Sequence, residues 1–122
     1  MLVADDEVRL LRLMERVIAS HGYAVLTARD GDEALRRFEA QREQIAVAVL
    51  DASIAPAGAA VVLEAMLDAR PDLGVVVTSG GLRADEPPVL RRPGVIWLPK
   101  PFPSEALTRA VADALAPHAG KK

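Results

Sequence analysis

Four apolar runs in this chain end on polar or charged residues, and this pattern limits the fold more than any other feature. In an open parallel α/β sheet the carboxyl ends of the strands share one edge of the molecule, and ligands bind at that edge. The runs would therefore bring three carboxylates, a hydroxyl and an ammonium group into one cleft. The residues concerned are Asp5, Asp6, Asp51, Ser79 and Lys100. Such a set predicts a site for magnesium-assisted phosphoryl chemistry.

Apolar runs and amphipathic segments alternate along the whole chain. The runs predict strands at 1–4, 23–28, 45–50, 73–78 and 95–98. Helical spacing of apolar residues predicts helices at 7–21, from Asp30 onwards, at 59–69 and at 104–116. Asp30 and Glu33 form a capping-box pattern at the start of the second helix. Residues 80–92 are the weakest segment, because Pro87 and Pro88 break or shorten any helix there. The alternation predicts a doubly wound α/β domain with a five-stranded parallel sheet and helices on both faces.

Size and composition exclude several classes of protein. A chain of 122 residues forms a single domain, predicted here as residues 1–118 with a tail at 119–122. It has no apolar run near the ~20 residues that cross a bilayer and no secretory signal pattern, so we expect no membrane insertion. It has no cysteine, which excludes disulfides and thiolate metal sites. The net charge of −2 argues against direct nucleic-acid binding. A cytoplasmic location is the expectation.

The chain resembles the receiver domain of two-component response regulators over essentially its whole length. The resemblance rests on the acidic pair Asp5-Asp6, the lone Asp51 that ends the third strand, the Thr78-Ser79-Gly80 turn, and the sequence Leu98-Pro99-Lys100-Pro101-Phe102. It implies a flavodoxin-like, CheY-like fold with strand order 2-1-3-4-5. It also suggests the receiver at the C-terminal end of a hybrid sensor histidine kinase.

The resemblance implies a role for each residue of the cleft. Asp51 would accept the phosphoryl group, and Lys100 would offset its charge. Mg²⁺ would be held by Asp5, Asp6, Asp51 and the backbone carbonyl of Ser53. Clustered carboxylates repel one another by about 4 kcal/mol per pair at ~4 Å, so a cation is required on physical grounds as well.

Further residues would change state or conformation. Ser79 would hydrogen-bond a phosphoryl oxygen, because in the family the switch hydroxyl precedes a small residue. An alternating strand sends Thr78 to the opposite face. Trp97 lies three residues before Lys100, where the family has a switchable aromatic residue, and is otherwise a core residue. The Lys100-Pro101 peptide bond is expected to be cis. One departure concerns the loop after Asp51, where proline and glycine are each displaced by one residue from the family pattern.

These features predict a phosphoacceptor domain that is not an enzyme by itself. Its partners would be a histidine kinase or histidine phosphotransfer domain and a downstream output protein or domain. A degenerate receiver that binds partners without phosphorylation is the alternative, supported only by the altered loop. A magnesium-dependent phosphohydrolase is disfavoured, since no acid or base carboxylate lies at Ala52, Ser53 or Ile54.

Overall fold

A five-stranded parallel sheet in the order β2-β1-β3-β4-β5 forms the centre of the molecule. The computed structural model describes residues 1–80, 87–91 and 93–115. Within them the strands are β1 (Leu2–Ala4), β2 (Leu26–Ala28), β3 (Val47–Asp51), β4 (Gly74–Ser79) and β5 (Val95–Pro99). The helices are α1 (Val8–Ala19), α2 (Gly31–Gln41), α3 (Ala59–Ala69) and α4 (Ser104–Leu115), with 3-10 turns at Arg42–Gln44 and Pro88–Arg91. Fold class and strand order confirm the sequence prediction.

The helices cover both faces of the sheet. Successive side chains of a strand point to opposite faces, so each inner strand supplies two cores. Leu50 and Val77 pack with α2 and α3, around the buried side chain of Phe38. Val49 and Val76 pack with α1 and α4 on the other face. Coverage on both sides explains why β3 and β4 are buried along their whole length and read as continuous apolar runs.

The start of α2 follows the predicted capping box. The Asp30 side chain accepts a hydrogen bond from the Glu33 amide at 2.7 Å, and the Glu33 carboxylate accepts one from the Arg29 amide at 2.8 Å. The Glu33 amide, one of those that a helix start leaves without partners, is thereby satisfied. The return bond reaches Arg29, one residue before the cap, rather than Asp30 itself.

One sequence prediction needs correction, and others lie on residues outside the described ranges. The second strand is shorter than predicted, because β1 pairs only through Leu2–Ala4 and its partners begin at Leu26. Tyr23 and Val25 still pack against the core without joining the sheet. Much of the weak segment at 80–92 lies outside the described residues, as do the predicted boundary at 118 and the tail at 119–122.

Among the helices of the described residues, none has both the length and the apolar character that a bilayer span requires.

Candidate functional site

Three carboxylates meet at the carboxyl edge of the sheet. Strands β1 and β3 pair in register as far as Ala4 and Leu50, so the next residue of each, Asp5 and Asp51, emerges at adjacent positions. Asp6 follows directly. One carboxylate oxygen from each of the three aspartates lies within 4.8 Å of the others. This cluster matches the predicted one.

Lys100 bridges two of these carboxylates from the end of β5. Its Nζ donates hydrogen bonds at 3.1 Å to Asp5 Oδ2 and at 3.1 Å to Asp51 Oδ1. Its backbone amide donates to the Ser79 carbonyl at 2.8 Å, which fixes the chain where the strand ends. The Lys100-Pro101 peptide bond is cis, as expected from the resemblance. Residues 5, 51 and 100 are therefore joined by direct contacts between distant parts of the sequence.

Burial and like charge make this an unusual place for an ionised carboxylate. Asp51 is only 4% exposed. Burial raises its pKa, the neighbouring charge of Asp5 raises it further, and Lys100 offsets only part of the effect. For Lys100 itself, burial opposes the charged form, but the hydrogen bonds and charges of Asp5 and Asp51 outweigh it and raise the pKa. Three carboxylates face one ammonium group, so negative charge remains uncompensated.

Asp5 and Asp6 are placed differently. Asp5 is fully buried, and both its oxygens are engaged: Oδ2 with Lys100, and Oδ1 with the Glu7 amide at 2.8 Å. Asp6 is exposed. The Asp6 carboxylate is consequently the more accessible of the pair for a cation.

The loop after Asp51 is closed by backbone hydrogen bonds despite its altered sequence. Ile54 N donates to Asp51 O at 3.0 Å, Gly58 N to Ile54 O at 2.7 Å, and Ala59 N to Ala52 O at 3.0 Å. The carbonyl of Ser53 accepts none of these bonds, and its hydroxyl donates to Asp51 Oδ2 at 3.4 Å. Gly58 has φ +88°, a conformation that glycine adopts readily, and it directly precedes α3. The Ala55-Pro56 bond is also cis, and no sequence feature indicated this.

The two hydroxyl residues at the end of β4 are both buried but occupy different positions. Thr78 pairs in register with Asp51 and Leu98, whereas Ser79 pairs with Pro99. Within the described part of the chain, the Thr78 hydroxyl is buried without a hydrogen-bond partner. Ser79 is 5% exposed and lies one residue further towards the edge. Alternation along the strand separates the two side chains, as expected, but which one meets a ligand stays a prediction.

Trp97 contacts the core and also carries a specific polar contact. Its ring packs against the α2–α3 side of the core. The indole Nε1 donates a hydrogen bond to the Leu90 carbonyl at 2.8 Å, which attaches β5 to the 3-10 turn at Pro88–Arg91. Nothing in the sequence signalled that contact, since its acceptor is a backbone carbonyl, which every residue has.

Comparisons with known proteins agree with this geometry. The chain is 28% identical to the transcriptional regulatory protein GlrR of Escherichia coli K12 over 116 residues, which cover 94% of the chain and 26% of that protein. It thus spans about a quarter of the length of that curated relative. No protein-family model matches it.

Solved structures give the same answer. A response regulator receiver domain protein from Clostridium thermocellum superposes with a TM-score of 0.85 at 26% identity, covering 93% of this chain and 91% of the other. The receiver domain of the hybrid histidine kinase CckA gives a TM-score of 0.80 at 26% identity, covering 93% and 96%. The fold and the comparisons agree that the class of protein this chain is similar to is the CheY-like receiver domain of response regulators, and the resemblance inferred from the sequence is confirmed.

Proposed function

We propose that the chain is a working phosphoacceptor domain of a two-component phosphorelay, with Asp51 as the acceptor and Mg²⁺ as its cofactor. The observation that supports this most is the bridge of Lys100 between Asp51 and Asp5 beside the exposed Asp6. A domain that served only as a scaffold would gain nothing from burying two carboxylates next to a third, because such burial costs free energy without full compensation.

The donor set suits a magnesium ion. Magnesium is a hard cation that takes oxygen ligands and is commonly bound through one or two carboxylates while keeping several waters. Asp6 and Asp51 would hold it, with Asp5 beside them and the backbone carbonyl of Ser53 as a further ligand. Burial and, after it, the charge of Asp5 raise the pKa of Asp51, and a cation beside the carboxylate would favour its ionised form. When bound, the ion neutralises charge on the transferring phosphoryl group.

The residues of the chain would divide the work of transfer. A carboxylate oxygen of Asp51 attacks the phosphorus of a phosphohistidine, an O–P bond forms, and the N–P bond breaks with its electron pair left on the imidazole. Lys100 would move from Asp51 to the phosphoryl oxygens while keeping its contact with Asp5. Such positioning and charge compensation are most of what phosphoryl transfer asks of a protein.

Ser79 and Trp97 would report the phosphorylated state. Ser79 would hydrogen-bond a phosphoryl oxygen, and the change would reach Trp97 on β5. Trp97 pairs with Val77, which lies two residues before Ser79 on β4. Phosphorylation would then shift a two-state equilibrium by the difference in contacts between the states.

The donor would be a histidine kinase or histidine phosphotransfer domain, and the reader a downstream output protein or domain. We propose that the domain contacts no nucleic acid itself, works in the cytoplasm and is not an enzyme in isolation. A parent chain that is a hybrid histidine kinase is compatible with the similarity to the CckA receiver.

The test is binding of beryllofluoride, a phosphoryl mimic that needs no donor protein. We expect calorimetry to detect beryllofluoride binding only with Mg²⁺ present, and to detect none in Asp51→Ala. The matched control is Asp68→Asn, an exposed carboxylate on α3. No binding in the parent chain would contradict the proposal and favour a phosphorylation-independent interaction module. Loss of binding in the control would contradict Asp51 as the specific acceptor site.

A further inference from the structure

Gly31 is far from the acidic cluster in sequence, yet it contacts the loop that follows the acceptor. Its amide, in the first turn of α2, donates to the Ala55 carbonyl at 2.7 Å. Helix-start amides have no partner within their own helix. Here one of them holds the β3–α3 loop (residues 52–58) two residues after Ser53.

Only a residue without a side chain permits this approach. A Cβ on Gly31 would lie 2.9 Å from Cγ2 of Val62 and 3.4 Å from the Ala55 oxygen. Gly31 and Val62 are both buried, and the β-branched side chain of Val62 has little rotational freedom in a helix. Some part of α2, α3 or the loop would therefore have to move.

The helix start has little freedom to move away. The Asp30 and Glu33 side chains accept from the Glu33 and Arg29 amides and determine where α2 begins. Ala34 and Phe38 of its first turns are buried in the core. The nearest overlap is with Val62 of α3, so a side chain at position 31 would push the start of α3, and the β3–α3 loop that leads into it, away from α2.

Displacement at Ala55 would be transmitted to the metal site. Ile54 is bonded back to the Asp51 carbonyl, and Ala59 to the Ala52 carbonyl, so Ser53 lies inside a closed network of backbone hydrogen bonds. This anchoring also accounts for how a loop that departs from the usual proline and glycine positions keeps a defined shape.

We propose that Gly31 is a positioning residue for the metal site, which sets the distance of the Ser53 carbonyl from the aspartates without touching the ion. The inference rests on the proposed function. Partners outside the ligand sphere typically change metal affinity by about 10- to 100-fold. We expect Gly31→Ala to weaken Mg²⁺ binding by about tenfold, the lower end of that range.

The experiment compares Mg²⁺ affinity by calorimetry with the thermal midpoint for two alanine substitutions of glycine. Gly74→Ala is the matched control, since its Cβ would overlap the Ala114 carbonyl oxygen at the opposite edge of the sheet. Both variants should lower the thermal midpoint, but only Gly31→Ala should lower Mg²⁺ affinity. The double variant Gly31→Ala/Val62→Ala removes the nearest overlapping methyl group and should recover most of the Mg²⁺ affinity. It keeps the test possible if Gly31→Ala alone folds poorly.

Three outcomes would overturn this inference but not the proposed function. They are an unchanged Mg²⁺ affinity in Gly31→Ala, an equal loss of affinity in both single variants, and no recovery of affinity in the double variant. A parent chain that binds no Mg²⁺ would instead refute the proposed function, and the inference with it.

Discussion

Replacing Asp51 by asparagine should make the metal-free protein more stable, although it destroys the proposed acceptor. At the observed limit of 4.8 Å, each carboxylate pair repels by about 3.5 kcal/mol at an effective dielectric of 20. The contact with Lys100 at 3.1 Å returns about 5 kcal/mol on the same scale. Because Asp6 is exposed, solvent screening weakens its repulsion of Asp51. The repulsion from the two aspartates and the attraction from Lys100 then nearly cancel, so the free-energy cost of burying the Asp51 carboxylate decides whether its charge stabilises or destabilises the protein.

The raised pKa of Asp51 likewise predicts that its ionised carboxylate lowers the stability of the folded protein. A carboxylate with a pKa higher in the folded than in the unfolded state reduces stability as pH rises through the folded value, and the reduction remains at neutral pH. An asparagine side chain at this position would keep an oxygen to accept from Lys100 and lose only the charge. We expect a gain of about 1–2 kcal/mol, which is about 5 °C in thermal midpoint for a domain of this size.

The assay is thermal unfolding with a chelator and again with Mg²⁺. Without metal, Asp51→Asn should unfold at a higher temperature than the parent, while the exposed Asp68→Asn should not change the midpoint. Added Mg²⁺ should stabilise the parent more than the variant, because a ligand stabilises only in proportion to its affinity for the folded state. A variant less stable than the parent without metal would refute the electrostatic reasoning.

Three further predictions concern single contacts. Trp97→Phe removes the donor to the Leu90 carbonyl and should cost about 1–2 kcal/mol in denaturant unfolding; an unchanged midpoint would contradict the role of that bond. Thr78→Val removes a buried hydroxyl without a partner among the described residues, so stability should stay equal or rise. Its beryllofluoride affinity should not fall, whereas Ser79→Ala should bind the mimic more weakly. The reverse order of affinities would make Thr78 the switch hydroxyl. The hydrogen bond from the Arg29 amide lowers the pKa of Glu33, so the stabilising contribution of the Glu33 carboxylate should be lost as pH falls below 4.5. In Glu33→Gln, the stability should depend less on pH in that acidic range. Identical stability profiles of variant and parent would contradict the role of this bond.

Most of the fold could be predicted because its signals are local. Strands β3 and β4 are covered on both faces, so burial leaves a continuous apolar run in the sequence. The start of β2 was misplaced, because strand length depends on the partner and not only on β-forming residues such as Tyr23 and Val25. Pairing is a tertiary property that a single segment does not contain.

The convergence of the candidate site residues could be predicted for a similar reason. Parallel strands place their ends together, so the order of Asp5, Asp51 and Lys100 along the chain was enough to bring them to one edge. The contacts that hold this edge were not visible. The Gly31–Ala55 and Trp97–Leu90 hydrogen bonds both use a backbone carbonyl as acceptor, and every residue has one. Only the folded geometry identifies which carbonyls are used.

Intact mass after incubation with acetyl phosphate and Mg²⁺ tests the central claim most directly. The parent chain should gain one phosphoryl group, and the gain should vanish with a chelator and in Asp51→Asn. Because a short-lived adduct could escape detection, beryllofluoride binding and Trp97 fluorescence are followed on the same sample. A phosphoryl group that persists in Asp51→Asn, or a parent chain that neither gains mass nor binds the mimic, would contradict the account.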